Sequence, residues 1–242
     1  MAKKTIIGNW KMNGTRAFAR ELVPAITSFA AQIGSQADIV ICPPATLLAD
    51  VEKLVQGSFL AVGAQDCSAA TSGAFTGELS AEMLKDVGCR YALVGHSERR
   101  ANHGESDALV AEKAKKLIEN GIIPVICVGE TLSEREAGEH NAVVAAQVLA
   151  SLPQLPNAHF LLAYEPVWAI GSGKIPAMHD IESMHSHIIS VCAGSCVLYG
   201  GSVNAANAAE ILALPSVAGV LVGGASLKKE EFCGIIAAAE VS

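Results

Sequence analysis

The stretch Ala163-Tyr164-Glu165-Pro166-Val167-Trp168-Ala169-Ile170-Gly171-Ser172-Gly173-Lys174 sets one carboxylate at the point where an apolar run ends. Pro166 has no N–H to extend a ladder, so Glu165 is expected at the carboxyl end of a buried strand, free to act as a base. Val167, Trp168 and Ile170 are apolar, and Gly171 and Gly173 supply backbone freedom, which suits a loop that closes over a ligand. The competing reading is a turn packed permanently on the core, because loops that re-enter a fold are often apolar.

Lys11 follows the apolar run Ile6-Ile7-Gly8-Asn9-Trp10. Most lysines are surface residues, but at a strand end a fixed ammonium can neutralise an anionic ligand. In Gly95-His96-Ser97-Glu98-Arg99-Arg100 the serine is expected to cap a short helix, which puts His96 at a helix N-terminus that disfavours imidazolium. A neutral imidazole there can donate to a carbonyl oxygen, which suits enolisation. Standing alone, such a histidine is more often structural. Gly201-Ser202 and Gly223-Gly224-Ala225-Ser226 each follow a late apolar run and offer unobstructed N–H groups. Ordinary turn glycines explain either one alone; together they read as an anion cradle, with Gly171 as a further donor on closure. A phosphate and a carbonyl would define the ligand.

Eight apolar segments are expected as strands: Thr5 to Trp10, Asp38 to Cys42, Phe59 to Ala64, Tyr91 to Gly95, Ile122 to Val128, His159 to Tyr164, Val197 to Gly200 and Gly219 to Val222. Helical stretches lie between them, among them Ser106 to Asn120, with Leu109, Val110, Leu117 and Ile118 on one face, and Ala142 to Leu152. Gly34 and Gly121 stand where helices would end; Thr46, Ser80, Ser106 and Asn204 stand where they would start. Strands apolar on both faces that alternate with helices make a parallel sheet. Eight units in 242 residues fit a single-domain (β/α)8 barrel over residues 1–242, with a doubly wound open sheet as the alternative. The polar and glycine motifs follow strand ends, so parallel strands gather them at one face, where barrels of this kind carry their chemistry.

Other chemistries find no support. The run from Gly171 to Lys174 lacks the first Walker glycine, since Trp168 stands there, and Pro176 occupies the last position of a dinucleotide glycine triplet. His185 and His187 are two apart on an expected helix and do not share a face; Cys192 and Cys196 lack a second pair, so no metal site is expected. The seven cysteines are odd in number and mostly within apolar runs, which fits reduced thiols. With a formal charge of −7 and no basic block, no nucleic-acid face is expected; with no apolar run near bilayer length and no signal-like start, neither is a membrane. A cytoplasmic protein follows.

Over essentially its whole length the sequence resembles the triosephosphate isomerase family. The resemblance is carried in order by Gly8 to Gly14, Gly63-Ala64-Gln65, Gly73 to Glu78, Gly95 to Arg100, Cys127 to Glu130, Tyr164 to Lys174, Tyr199 to Val203 and Leu221 to Leu227. It implies interconversion of dihydroxyacetone phosphate and glyceraldehyde 3-phosphate with no metal or organic cofactor. On that footing Glu165 shuttles the proton, and His96 polarises the carbonyl, assisted by Lys11 and the amide of Asn9. The backbone at Gly171, Ser202, Gly223 and Gly224 grips the phosphate, and Glu98 supports Lys11. The loop Asp66 to Leu79 then docks on a neighbouring subunit, giving a homodimer. The sequence departs from the family at Ser172, where threonine is usual, at Ile175-Pro176 in the lid hinge, and at Ile189 and Ala218, where a paired arginine and aspartate are expected. Two rival readings are another phosphosugar isomerase or epimerase and a catalytically silent barrel used for binding or regulation.

Overall fold

The computed structural model describes residues 3–171 and 175–241. Eight parallel strands form a closed barrel in chain order: β1 (Thr5–Asn9), β2 (Asp38–Cys42), β3 (Ala61–Ala64), β4 (Tyr91–Val94), β5 (Ile123–Val128), β6 (Leu161–Tyr164), β7 (Cys196–Tyr199) and β8 (Gly219–Val222). Pairing of β1 with β8 closes the sheet, which disposes of the open-sheet alternative. Several strands are shorter than the apolar runs that mark them. Phe59 and Leu60 precede the first paired residues of β3, and His159 and Phe160 precede β6. Leu60 and Phe160 still pack on the core ahead of the ladder, whereas Phe59 and His159 are exposed.

Alternation along each strand divides the interior in two. Twelve side chains, among them Ile7, Val40, Leu93, Val125, Ala163 and Leu198, fill the barrel itself. Their number matches the three layers of four that plug such a barrel. The alternate positions, such as Ile6, Ile41, Val94, Ile126 and Leu162, face the surrounding helices in a second, larger cluster. Burial on both faces is why the strands read as continuous apolar runs.

The helix Asp107–Glu119 starts at Ser106, whose hydroxyl accepts from the Leu109 N–H, and Ser80 caps the helix Ala81–Asp86 in the same way. Gly34 and Gly121 follow their helices with φ of 63° and 69°, left-handed values that favour glycine. Three expected local features differ. Thr46 lies inside a 3-10 turn, Ala45–Leu47, and the helix Leu48–Val55 follows it without a side-chain cap. Asn204 instead forms a turn, accepting the N–H groups of Ala206 and Asn207 ahead of the helix Ala208–Leu212. On Asp107–Glu119 the buried face is Val110, Lys113, Ala114 and Leu117, whereas Leu109 is exposed. Lys113 turns inward because Asp66 and Glu105 bind its ammonium at 2.8 and 2.6 Å, and Arg99 bridges the same two carboxylates. A buried cation with two carboxylates overrides its own hydrophobic penalty. This network ties the root of the loop Asp66 to Leu79 to the barrel.

Candidate active site

At the carboxyl-terminal mouth a cavity of about 520 Å³ is lined by Asn9, Lys11, His96, Glu165, Gly171, Ser202, Gly223 and Gly224. All eight residues singled out from the sequence therefore meet in one place, and Gly200, Gly201, Leu221 and Lys228 join them. The gathering follows from parallel strands: β1 delivers Asn9 and Lys11, β4 delivers His96, β6 delivers Glu165, and β7 and β8 end in the glycine turns. Another cavity, of about 250 Å³, reaches Glu165 from behind along Cys127, Val128 and Gly129, but it contains neither His96 nor Lys11.

Glu165 is nearly fully buried. Its N–H donates to Val128 O, Oε2 accepts the Ser97 N–H at 2.9 Å, and Oε1 lies 3.0 Å from His96 Nε2. Burial pushes its pKa up, but His96, the Ser97 N–H and Lys11 outweigh burial and hold it below the usual carboxylate value. For His96 burial works against the charged form, yet the Glu165 carboxylate prevails and raises its pKa. The backbone fixes which ring nitrogen carries the proton. His96, not Ser97, is the N-cap of the helix Ser97–His103, and its Nδ1 accepts the Glu98 N–H at 3.2 Å. An Nδ1 that accepts cannot also carry a proton, so the resting ring is neutral, with Nε2–H directed at Glu165. The helix start thus sets the tautomer through a hydrogen bond, whereas the expectation that the helix terminus disfavours the imidazolium is reversed by the Glu165 carboxylate beside the ring.

Lys11 has φ of 52°, a left-handed value rare for a residue with a Cβ. Its backbone is held at both ends: the N–H donates to Asn9 Oδ1 at 3.0 Å, and its carbonyl accepts from Gln65 Nε2 at 2.8 Å. The ammonium pairs with Glu98 Oε1 at 2.5 Å, as expected for Glu98. Asn9 is thereby engaged through its oxygen, leaving Nδ2 as the group that can face the cavity.

On the loop after β6, Val167–Ala169 form a 3-10 turn. Trp168 Nε1 donates to Glu130 Oε1 at 3.0 Å, the Arg135 guanidinium lies 5.2 Å above the indole, and Ser202 Oγ donates to Ala169 O at 2.7 Å. The base of the loop is thus docked, while Gly171 is exposed at φ 65°. Ser172, Gly173 and Lys174 of the expected lid lie outside the described residues. Beyond them Ile175 is exposed and Pro176 is buried, so Pro176 is a packed residue and not a surface one.

Three positions support Glu165 in ways that the sequence does not show. Ser97 contributes only its N–H, which any residue but proline possesses. Gly129 passes so close to Glu165 that a Cβ would stand 1.7 Å from its carbonyl oxygen, and a Cβ on Gly200 would stand 2.9 Å from Glu165 Cγ. Gly200→Ala is expected to move the carboxylate by about half an ångström and to lower kcat by roughly tenfold, since a full ångström costs on the order of 10²-fold. Steady-state kinetics with a thermal melt checks this; an unchanged kcat would show that the side chain gives way at no cost to its reach.

Fold and mouth together define a (β/α)8-barrel enzyme. A family model described as "Triosephosphate isomerase" matches residues 4–239. A triosephosphate isomerase of Acidiphilium cryptum is 47% identical over 254 residues, covering 97% of each chain, and one of a Bradyrhizobium species is 49% identical over 240 residues, covering 95% of each. The crystal structure of triosephosphate isomerase from Bartonella henselae superposes with a TM-score of 0.89 at 37% identity, covering 99% of this chain and 100% of that one. The chain belongs to the triosephosphate isomerase family. Its activity is that of an aldose–ketose isomerase, interconverting dihydroxyacetone phosphate and D-glyceraldehyde 3-phosphate in glycolysis and gluconeogenesis. Nothing in the site or the relatives favours a silent barrel.

Proposed function

We propose that the isomerisation runs through an enediolate, with Glu165 as the single base, His96 as the hydrogen-bond donor to the substrate oxygens, and Lys11 as the fixed positive charge. Glu165 removes a proton from C1 of dihydroxyacetone phosphate while the C1–H electron pair moves into a C1–C2 double bond and the carbonyl oxygen becomes anionic. His96 Nε2–H and the Lys11 ammonium stabilise that oxygen, and the imidazole passes a proton between the two oxygens. Glu165 then returns its proton to C2, so no proton is gained or lost overall. The observation that carries this reading is the 3.0 Å approach of Glu165 Oε1 to His96 Nε2 in the cavity that also holds Lys11. In this arrangement the carboxylate's lone pairs are engaged by Ser97 N–H and His96; exchanging them for a substrate C–H frees its basicity.

The N–H groups at Gly171, Ser202, Gly223 and Gly224 serve the phosphate, with Asn9 beside the carbonyl, and closure of the loop after Pro166 keeps water from the enediolate. No metal enters this scheme. Among the described residues no group of three or more His, Cys, Asp or Glu could hold one. The test is conversion of D-glyceraldehyde 3-phosphate carrying deuterium at C2, in ordinary water: recovery of part of that deuterium at C1 of dihydroxyacetone phosphate, with the rest replaced by solvent hydrogen, supports an enediolate and one base that carries the proton across. Solvent hydrogen alone at C1, even at the earliest conversion, would overturn the one-base reading.

The chain is proposed to act as one barrel domain in the cytoplasm and as a homodimer. Cytoplasmic chemistry fits seven free cysteines, and among the described residues no helix is long and apolar enough to cross a membrane. The dimer is supported by the loop Asp66 to Leu79, whose root is fixed by ions while Phe75 stands half exposed at its tip, and by exposed Met12 and Met83. Sedimentation equilibrium should give twice 25.0 kDa for the native chain and a lower mass for Phe75→Glu. A native monomer at micromolar concentration would overturn the dimer.

A further inference from the structure

A further cavity, of about 390 Å³, lies at the opposite, amino-terminal end of the barrel and shares no residue with the mouth. Its wall is apolar: Ile189 near the end of the helix Met178–Val191, Val197 on β7, Leu212 and Leu214 at the end of the helix Ala208–Leu212, and Val217 and Ala218 entering β8. The gap has a local cause. Ala218 supplies only a methyl group, and its backbone is already committed, donating to Val197 O and accepting from Thr5 N–H. Ile189 likewise brings no polar group into the space between helix end and strand start.

One edge is cationic. Lys3 and Lys4 line it from the residues just ahead of β1. Lys3 pairs with the half-buried Asp38 at 2.6 Å. Among the described residues Lys4 Nζ has no carboxylate partner at salt-bridge distance and donates one hydrogen bond, to Val217 O at 2.7 Å, which leaves two of its three donors for something else. Glu182, whose Oε2 accepts both the N–H and the hydroxyl of the lining residue Ser216, is already engaged. In a chain of formal charge −7, an apolar pocket with a spare ammonium on its rim selects for an anion with a hydrocarbon body. The size is that of a small-molecule site, and such sites are mostly apolar with few, placed polar groups.

We propose that this cavity binds a small aliphatic monocarboxylate, its carboxylate on Lys4 Nζ and its chain against Ile189, Leu212, Leu214 and Ala218. The site stands apart from the isomerase reaction and does not depend on the roles assigned at the mouth. Cys196, exposed at the start of β7 and lining the cavity, provides a reporter within the native chain. With octanoate as the probe, alkylation of Cys196 by iodoacetamide, followed by peptide mass mapping, should slow. At about nine times the Kd the unoccupied fraction, and with it the rate, falls about tenfold.

Octanol should protect less than octanoate in the native chain, and Lys4→Gln should remove the difference. The double variant Ile189→Arg with Ala218→Asp, which fills the space with a charged pair, should lose protection by either compound while keeping isomerase turnover as proof that it is folded. If that variant does not fold, the native chain and Lys4→Gln still decide the matter. Absence of protection up to the solubility limit of octanoate, equal protection by octanol in the native chain, or protection that survives filling of the cavity would each overturn the proposal.

Discussion

Glu165→Asp is expected to lower kcat by on the order of 10²-fold, because removing one methylene withdraws the carboxylate by about 1 Å from the carbon it must deprotonate. The geometry makes this a clean test. Glu165 leaves β6 in a fixed direction: its N–H is held by Val128 O, Pro166 stops the strand directly behind it, and the chain at Gly129 and Gly200 runs so close to its carbonyl and its Cγ that neither position has room for a Cβ. The backbone therefore has no room to follow a shorter side chain. KM should change far less, since neither the cationic group nor the glycine turns are touched. The fold should remain intact, because aspartate remains within the same glycine-walled space. A near-normal kcat would take the base away from Glu165, whereas loss of kcat with a low melting temperature would mean that the space had collapsed.

What the sequence makes legible follows from how strongly a feature is written in residue type. The eight strands are visible because burial on both faces demands unbroken apolar runs, and the mouth is visible because Pro166, Gly95 and the paired glycines at 200–201 and 223–224 mark where strands end. Ladder boundaries are not visible, since packing continues beyond hydrogen bonding at Leu60 and Phe160, and an exposed Phe59 reads from its type as part of the strand. The buried face of Asp107–Glu119 is misread at Lys113 because hydrophobic periodicity assigns every lysine to water, and only the loop residue Asp66, 47 positions away, together with Glu105 reverses that. His96 as a cap is hidden for another reason: serine is the commoner cap, and only the backbone shows that the ring nitrogen has taken the place of the hydroxyl. Ser97 and Gly129 act through backbone position alone, which residue type does not encode.

Lys11→Ala is expected to reduce kcat/KM by about 10- to 100-fold, the equivalent of roughly 1.5–3 kcal/mol for one charged hydrogen bond, with both KM and kcat affected. Both should move because the ammonium lies beside Gly223, where the phosphate is proposed to bind, and in the same cavity as His96, where negative charge develops. Stability should change little. Glu98, the partner left behind, is about half exposed, so its charge remains solvated, and the left-handed backbone at φ 52° is held by Asn9 and Gln65 whatever side chain it carries. Lys11→Arg should not restore activity. A planar guanidinium is bulkier than an ammonium and cannot put a compact charge at the same point. Kinetics of the two variants against the native chain, with a denaturant melt for each, checks all of this: unchanged KM and kcat in Lys11→Ala would make the residue a surface lysine, and full activity in Lys11→Arg would show that charge alone, and not its compact placement, is what the site requires.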